Sequence, residues 1–288
     1  MAEHRVEQIM GMPIVIDVRE DIDIDRAFAW FRWVDATFST YRAGSEISRL
    51  DRGELALRDV HPSVREVLIR CEELRAETNG YFDINASGRL DPSGYVKGWA
   101  VDRAAKLLEQ AGGRRFHINA GGDILARGGP WRIGIQHPYR PDRLASVVEI
   151  TDGAVATSGA YVRGDHVLDP HMNRPPAGVL SVTLIGRDLA STDAYATAAF
   201  AMGRDGPAWT ACLPGHEAMT ILDNHRALST PGFYARRRLA GVEKGPATRS
   251  GPLSLAPLPL QRAPRCRLAR RPGTRVHRIN AASAPLVG

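Results

Sequence analysis

Apolar residues recur at helical spacing in three stretches of the first half of the chain. Because residues three and four apart share one face of a helix, these stretches predict helices whose apolar faces form a core. The first begins at Asp25, which we expect to cap it, the second runs from Pro62 to Gly80, and the third from about Lys97 to Gln110. The predicted inward positions of the first two are Phe28, Phe31, Val34, Phe38, Val64, Val67, Leu68, Cys71 and Leu74.

The middle of the chain alternates between apolar and polar residues or is rich in β-branched ones, which is typical of strands. A fourth helix is predicted from Asp193 to Met202, with Ser191 or Thr192 as its N-cap. Helices and strands are interleaved without regular βαβ units, so the pattern predicts an α+β fold. The predicted strands are Pro13–Val18, Arg115–Asn119, Trp131–His137, Ser146–Thr151, Val179–Ile185 and Glu217–Leu222.

The helical and strand-like spacing of apolar residues ends after Tyr234. Residues 236–288 contain 11 arginines, one lysine, one glutamate and seven of the 19 prolines, and they show no periodicity. Such a segment buries too little apolar surface to offset the entropy cost of ordering, so we expect a disordered basic tail after one domain of residues 1–235. The tail carries +11 and the whole chain only +6, so the domain itself is mildly acidic. We therefore expect no nucleic-acid binding by the folded part.

The sequence shows no segment for membrane insertion or export. No run approaches the ~20 apolar residues that span a bilayer, and Met1 to Met10 lacks both the apolar core of a signal peptide and a lipoprotein cysteine. We therefore expect a cytoplasmic protein without a membrane segment. The motifs HExxH, GxSxG and CxxC do not occur, so they offer no competing catalytic or zinc site.

Asp193 and Thr197 lie one helical turn apart in the predicted fourth helix, so their side chains share a face. A carboxylate and a hydroxyl are hard oxygen ligands, which suit Mg²⁺ better than zinc or copper. The alternative is that Asp193 and Thr197 have only structural roles. An aspartate in a first turn commonly interacts with the positive end of its helix, and the threonine then has no chemical role.

Two glycine-containing segments are candidates for binding a phosphate or a similar group. The segment from Asp91 to Gly98 places small residues before a helix, and Lys97 could meet a phosphate or carboxylate there. It lacks the spacing of a Walker loop, and it could equally be an ordinary turn and helix cap. The segment from Asn119 to Asp123 would let the backbone approach a ligand closely, but a hairpin turn explains it as well.

The densest polar cluster is His166-Val-Leu-Asp-Pro-His171. A histidine near a carboxylate and a proline-fixed turn could act as an acid or a base, although a structured loop is an equal explanation. Each of these motifs, taken alone, has a structural explanation that is at least as good as the functional one.

The order of the motifs along the chain is more specific than any one of them. They are Met10-Gly11, Phe38-Ser-Thr-Tyr41 with Ser45-Glu46, Gly80-Tyr-Phe-Asp83, Asp91 to Asp102, Asn119-Ala-Gly-Gly-Asp123, Thr157-Ser-Gly-Ala-Tyr161, His166-Val-Leu-Asp-Pro170 and Asp193-Ala-Tyr-Ala-Thr197. In this order they resemble the ApbE family of FAD:protein FMN transferases over about residues 8–234.

The resemblance implies a fold and a set of site residues. The implied fold is ApbE-like and related to the T-fold, with mixed sheets and packed helices. His166 would be the catalytic residue near the pyrophosphate of FAD. The magnesium ligands would be the side chains of Asp193 and Thr197 and the carbonyl of Gly94, which would come from the loop before Lys97. The implied FAD contacts are Met10, Tyr41, Tyr81, Phe82, Asp83, Asp91, Lys97 and the backbone near Leu168.

The resemblance also implies a magnesium-dependent reaction in which FMN passes from FAD to a Thr or Ser hydroxyl of a partner flavoprotein, and AMP is released. In such a reaction Mg²⁺ and Lys97 would offset charge on the phosphate oxygens, while His166 would orient or deprotonate the hydroxyl. Two alternatives stay open: a protein that binds FAD without transfer, and a slow FAD pyrophosphatase that uses water as the acceptor.

Overall fold

One large sheet contains most of the strand-forming segments. The computed structural model describes residues 3–159, 167–236, 254–255 and 260–263. The strands of this sheet are β1 Glu3–Ile9, β2 Met12–Val18, β3 Phe116–Ala120, β4 Asp123–Arg127, β7 Gly153–Gly159, β8 Val179–Gly186, β9 Glu217–Leu222, β10 Ala227–Ser229 and β12 Leu260–Arg262. They lie in this order across the sheet, and all neighbours are antiparallel except β10 and β12, which are parallel.

A smaller sheet consists of β5 Trp131–His137, β6 Arg140–Ile150 and β11 Ser254–Leu255. β6 lies in the middle, antiparallel to β5 and parallel to β11. Ile133 and Val148 of this sheet are buried in one cluster with Ile185 and Ile221 of the large sheet. The smaller sheet therefore covers part of one face of the large sheet.

The helices are α1 Asp25–Phe38, α2 Glu46–Asp51, α3 Pro62–Glu77, α4 Ser93–Gln110, α5 Leu189–Ala201, α6 Gly206–Thr210 and α7 Pro231–Arg236. The last of them, α7, lies on the side of the smaller sheet, where Phe233 is buried beside Ile133. The others cover the opposite face of the large sheet. α4 packs against α1 and α5, and α5 lies on β7 and β8. Phe28 and Phe31 of α1, together with Ile14 and Ile16 of β2, are fully buried in the main core. The predicted α+β fold with mixed sheets and packed helices is confirmed.

β7 lies between the two layers and is buried on both faces. Because successive side chains of a strand point to opposite faces, Ala154 and Ala156 join the core under the helices while Val155 joins the core under the smaller sheet. The small residues of this strand leave room for α5 on one side. This position brings the end of β7 beside the turns of α5 that carry Asp193 and Thr197.

Several element boundaries differ from the prediction. α4 begins at Ser93, so Gly94 lies inside its first turn and not in the loop before Lys97. α5 begins at Leu189, and its N-cap is Asp188 in place of Ser191 or Thr192, since the Asp188 carboxylate accepts a hydrogen bond from the Ser191 backbone N–H. The prediction that Asp25 caps α1 is wrong, because Asp25 is the first helical residue and Ile24, which has no polar side chain, occupies the N-cap position.

Two short pieces of the basic tail pair with the domain. β11 lies beside β6, and β12 lies beside β10, where the Ala263 backbone N–H also bonds to the Ser229 carbonyl at 2.8 Å. The prediction of an irregular tail did not include these strands. Among the described residues, no helix is both long and apolar enough to cross a membrane.

Candidate functional site

The backbones of α4 and α5 lie close together at Gly98. A Cβ atom at this position would lie 2.4 Å from the Leu189 carbonyl oxygen, so a larger residue would force the two helices apart. The contact aligns the first turns of α4 with the middle of α5. As a result Gly94 and Lys97 face the helix surface that carries Asp193 and Thr197.

A buried group of charges lies at this junction. The Lys97 ammonium contacts the Asp123 carboxylate and lies 3.4 Å from Oδ1 of Asp193. Both aspartates are only 3% exposed. Asp123 is the first residue of β4, directly after the Gly121-Gly122 turn, and it accepts a hydrogen bond from the Thr157 backbone N–H at 2.9 Å. Burial without such partners would be costly for these charges, so each is held by specific contacts.

Oxygen atoms surround the same junction. Thr197 Oγ1 lies 3.3 Å from the Ser158 hydroxyl. A Cβ atom at Gly94 would lie 3.7 Å from Thr197 Oγ1 and 3.3 Å from the ring of Phe82. Gly94 is therefore next to Thr197, and the buried Phe82 ring forms an apolar wall beside both.

The donor set of Gly94, Asp193 and Thr197 fits magnesium. One carboxylate, one hydroxyl and one backbone carbonyl are hard oxygen ligands. Within the described parts of the chain, no group of three or more His, Cys, Asp or Glu side chains is placed to hold a metal, so a cysteine- or histidine-rich centre has no support there. Asp193 is the fifth residue of α5, and Asp188 and Asp102 bind the N–H groups of its first turn. Since helix-end charge effects fade within that turn, the structural explanation for Asp193 is weakened.

Tyr81 and Asp83 flank Phe82 in the turn after α3. The Tyr81 ring packs edge-on against the ring of His171 at 4.6 Å, and His171 Nε2 is 3.0 Å from the Asn79 carbonyl oxygen. Asp83 is 3.5 Å from the guanidinium of Arg75. The segment 79–83 is thus joined to the loop that contains Leu168, which is half-buried.

Tyr41 and Asp91 line a groove of about 180 Å³ in front of α4, together with Thr40, Ser48, Asp51, Ser87, Arg89 and Leu90. The Tyr41 side chain is 98% exposed. Asp91 accepts a hydrogen bond from the Ser93 backbone N–H at 3.0 Å, which fixes the start of α4. This groove is suited to a ring that lies against the Tyr41 side chain and to hydroxyl groups near the carboxylates of Asp51 and Asp91.

Met10 occupies a tight turn between β1 and β2. Ile9 pairs with Met12, and the intervening Met10 and Gly11 have φ angles of 56° and 71°, so they form a two-residue hairpin turn in which Met10 is in the left-handed region. The Gly121 backbone N–H bonds to the Pro13 carbonyl at 3.1 Å, so the Gly121-Gly122 turn lies beside the Met10 turn.

His166 lies outside the described residues, so its predicted role stays a prediction. Conversely, the structure adds two residues to the junction that the sequence did not single out as site residues: Asp123 and Ser158. The available signal for Asp123 was an acidic residue directly after two glycines and before a strand of apolar residues. Ser158 lies in the Thr157-Ser-Gly-Ala-Tyr161 motif, but its spacing in the sequence does not relate it to Thr197.

Comparison with known proteins points to one family. A model of the ApbE family matches residues 10–89 and 85–220. The FAD:protein FMN transferase of Rhodobacter capsulatus is 34% identical over 189 residues, which cover 61% of this chain and 35% of that protein. The FAD:protein FMN transferase of Vibrio cholerae serotype O1 is 31% identical over 169 residues, which cover 54% of this chain and 51% of that protein. The chain thus spans about a third to a half of the length of these curated relatives.

Solved structures show the same fold. The ApbE protein of Thermotoga maritima has a TM-score of 0.75 and 22% identity, covering 83% of this chain and 100% of that one. The flavin transferase ApbE of Vibrio cholerae has a TM-score of 0.72 and 23% identity, covering 82% of this chain and 100% of that one.

Proposed function

Because the chain belongs to the ApbE family, we propose that it is a magnesium-dependent enzyme that transfers the FMN half of FAD to a Thr or Ser hydroxyl of a partner flavoprotein. The curated relatives reported above carry the name FAD:protein FMN transferase. The observation that carries the proposal for this chain is the buried junction of Lys97, Asp123 and Asp193 beside Thr197. A phosphate-transfer enzyme requires such a cluster of fixed charges and oxygen ligands.

In the proposed site, Asp193, Thr197 and the Gly94 carbonyl hold Mg²⁺. When bound, the ion offsets negative charge on the phosphate oxygens of FAD and of the departing AMP. The Gly94 carbonyl lies inside a helix, where carbonyls accept hydrogen bonds from the residue four positions on, so it would use its second lone pair as a ligand.

The remaining residues bind and orient FAD. Tyr41 and Asp91 contact it in the groove before α4, Phe82 supplies an apolar wall with Tyr81 and Asp83 beside it, and the Met10 turn and the backbone at Leu168 complete the contacts. Lys97, held by Asp123, directs its ammonium toward a phosphate oxygen. Phe82 is part of the main core and Met10 and Tyr81 pack against it, so the positions of these three residues are fixed before FAD arrives.

The proposed reaction forms a bond between the acceptor hydroxyl oxygen and the phosphorus on the riboflavin side of the pyrophosphate. The bond from that phosphorus to the bridging oxygen breaks, and AMP leaves with the bond's electron pair. His166 accepts the hydroxyl proton, while Lys97 stabilises charge on the phosphate oxygens.

The test is incubation of the full chain with FAD, Mg²⁺ and a flavoprotein acceptor whose single acceptor threonine can be replaced by alanine. We expect AMP and covalently bound flavin in equal amounts, and neither product when the acceptor carries alanine. AMP with free FMN and an unlabelled acceptor would show a pyrophosphatase instead. Saturable FAD binding without AMP would show a binding protein, and either result would overturn the proposal.

A further inference from the structure

The first three backbone N–H groups of α5 are all bound by carboxylates. Asp188, the N-cap of the helix, accepts from the Ser191 N–H at 2.8 Å. Asp102 accepts from the Leu189 N–H through one oxygen and from the Ala190 N–H through the other, both at 2.9 Å. The first N–H groups of a helix have no partner within the helix, so these bonds stabilise its start.

The two carboxylates differ in what they connect. Asp188 belongs to the same chain segment as α5 and caps it locally. Asp102 lies on α4, 87 residues before Leu189 in sequence, so its two bonds join α4 to the start of α5. They lie one helical turn from Gly98, where the backbone of Leu189 leaves no room for a Cβ atom on α4. A steric contact and a pair of hydrogen bonds to one carboxylate therefore both hold the start of α5 against α4.

This fixed point controls the geometry of the junction. α4 carries Gly94 and Lys97 before Gly98, and α5 carries Asp193 and Thr197 one and two turns after Leu189. Any sliding of α5 along α4 would change the distance between the two helix surfaces that supply the oxygen ligands. A shift of about 1 Å is large for a magnesium site, because this ion demands near-ideal octahedral geometry.

We propose that Asp102 is a positioning residue for the magnesium site, holding the start of α5 in register with α4 so that Asp193 and Thr197 meet Gly94 at the correct distance. The inference rests on the proposed magnesium site. Asp102 touches neither FAD nor the ion in this proposal and acts through the α5 backbone.

The experiment compares Asp102→Ala and Asp102→Asn with Asp188→Ala as the matched control. Asp188→Ala also removes a carboxylate from the start of α5, but it leaves the connection to α4 intact. Binding of Mn²⁺, used as a paramagnetic substitute for Mg²⁺, is measured on the full chain without FAD by the loss of the free-ion resonance signal. Urea unfolding of each variant gives its stability, so that affinity is compared only where the protein is folded.

We expect Asp102→Ala to weaken Mn²⁺ binding about 10-fold, at the lower end of what residues that orient metal ligands contribute. Asp102→Asn keeps one acceptor oxygen, so its Mn²⁺ affinity should lie between those of Asp102→Ala and the unchanged chain. This variant serves as the test if Asp102→Ala does not fold. Asp188→Ala should change Mn²⁺ affinity less than about 3-fold even where it lowers stability as much. Saturating Mg²⁺ should restore most of the AMP release of the Asp102 variants, because the ligands themselves remain.

Two results would overturn the inference in distinguishable ways. If the unchanged chain binds Mn²⁺ and Asp102→Ala binds it equally well, or if Asp188→Ala weakens binding as much as Asp102→Ala, Asp102 is only a helix cap. If the unchanged chain does not bind Mn²⁺, the proposed magnesium site itself is wrong, and the role of Asp102 is refuted with it.

Discussion

Replacing Asp193 by alanine removes the only formal negative charge among the three proposed magnesium ligands. The carboxylate is 3% exposed and lies 3.4 Å from the Lys97 ammonium. The fifth position of α5 is beyond the first turn, so the main consequence of the substitution should be chemical and not a loss of helix capping.

The effect on stability should be limited. Breaking a buried ion pair typically costs ~3–5 kcal/mol because one charge is left without a partner. Here Lys97 keeps its contact with Asp123, so we expect a loss of unfolding free energy below that range. The effect on rate should be larger. If the metal supplies several kcal/mol of charge stabilisation, losing about 3 kcal/mol of it lowers AMP release ~10²-fold.

The assay follows AMP by chromatography across a series of Mg²⁺ concentrations, with far-ultraviolet circular dichroism and flavin fluorescence to confirm folding and FAD binding. Ser191→Ala is the matched control, because Ser191 lies on the same helix and its side chain contacts Asp188. We expect Asp193→Ala to lose the magnesium-stimulated rate and Ser191→Ala to retain it. If AMP release by Asp193→Ala keeps its magnesium dependence, the assignment of Asp193 as a metal ligand is wrong.

Three further outcomes are expected. Thr197→Val keeps the shape of the side chain but removes the oxygen, so a Mg²⁺ titration should show a higher half-saturating concentration with a smaller loss of maximal rate than Asp193→Ala. Asp123→Asn removes the charge that holds Lys97, a contact worth ~1.5–3 kcal/mol, and steady-state kinetics should show a fall of about 10–100-fold in kcat/KM for FAD. Burial raises the pKa of Asp102 to about 6 from 3.8, so between these values the folded protein binds a proton that the unfolded chain has lost. The stability of the unchanged chain relative to Asp102→Asn should therefore fall as pH rises through this window, by at most about 3 kcal/mol in urea unfolding.

Elements with one buried face were predictable from the sequence. β5 and β9 match the predicted bounds, and α1 follows its stripe of aromatic residues. β7 was missed because both of its faces are buried, so its alanines and glycines show no alternation. β1 was missed because it is an edge strand in which charged residues take up half-buried positions against α1.

The candidate site was likewise predictable only where its residues belong to one element. Asp193 and Thr197 lie on one helix, so their spacing alone placed them together. Asp123 reaches Lys97 only because β4 lies beneath α4, and that proximity depends on the order of strands in the sheet. The start of α5 was misplaced because Asp188, Ser191 and Thr192 are all residue types that cap helices, and the choice among them depends on Asp102 of α4.

The large sheet, as far as the structure describes it, ends differently on its two sides. β1 carries Arg5 and Glu7, which pair with Asp25 and Arg32 of α1 at 2.7 and 2.6 Å. On the other side, β10 has no such charges, and β12 from the basic tail pairs with it and forms the last strand. An uncovered strand presents a row of backbone donors and acceptors that a strand from another molecule can bind. A chain shortened before residue 254 would therefore be expected to keep the junction of α4 and α5 but to self-associate through β10.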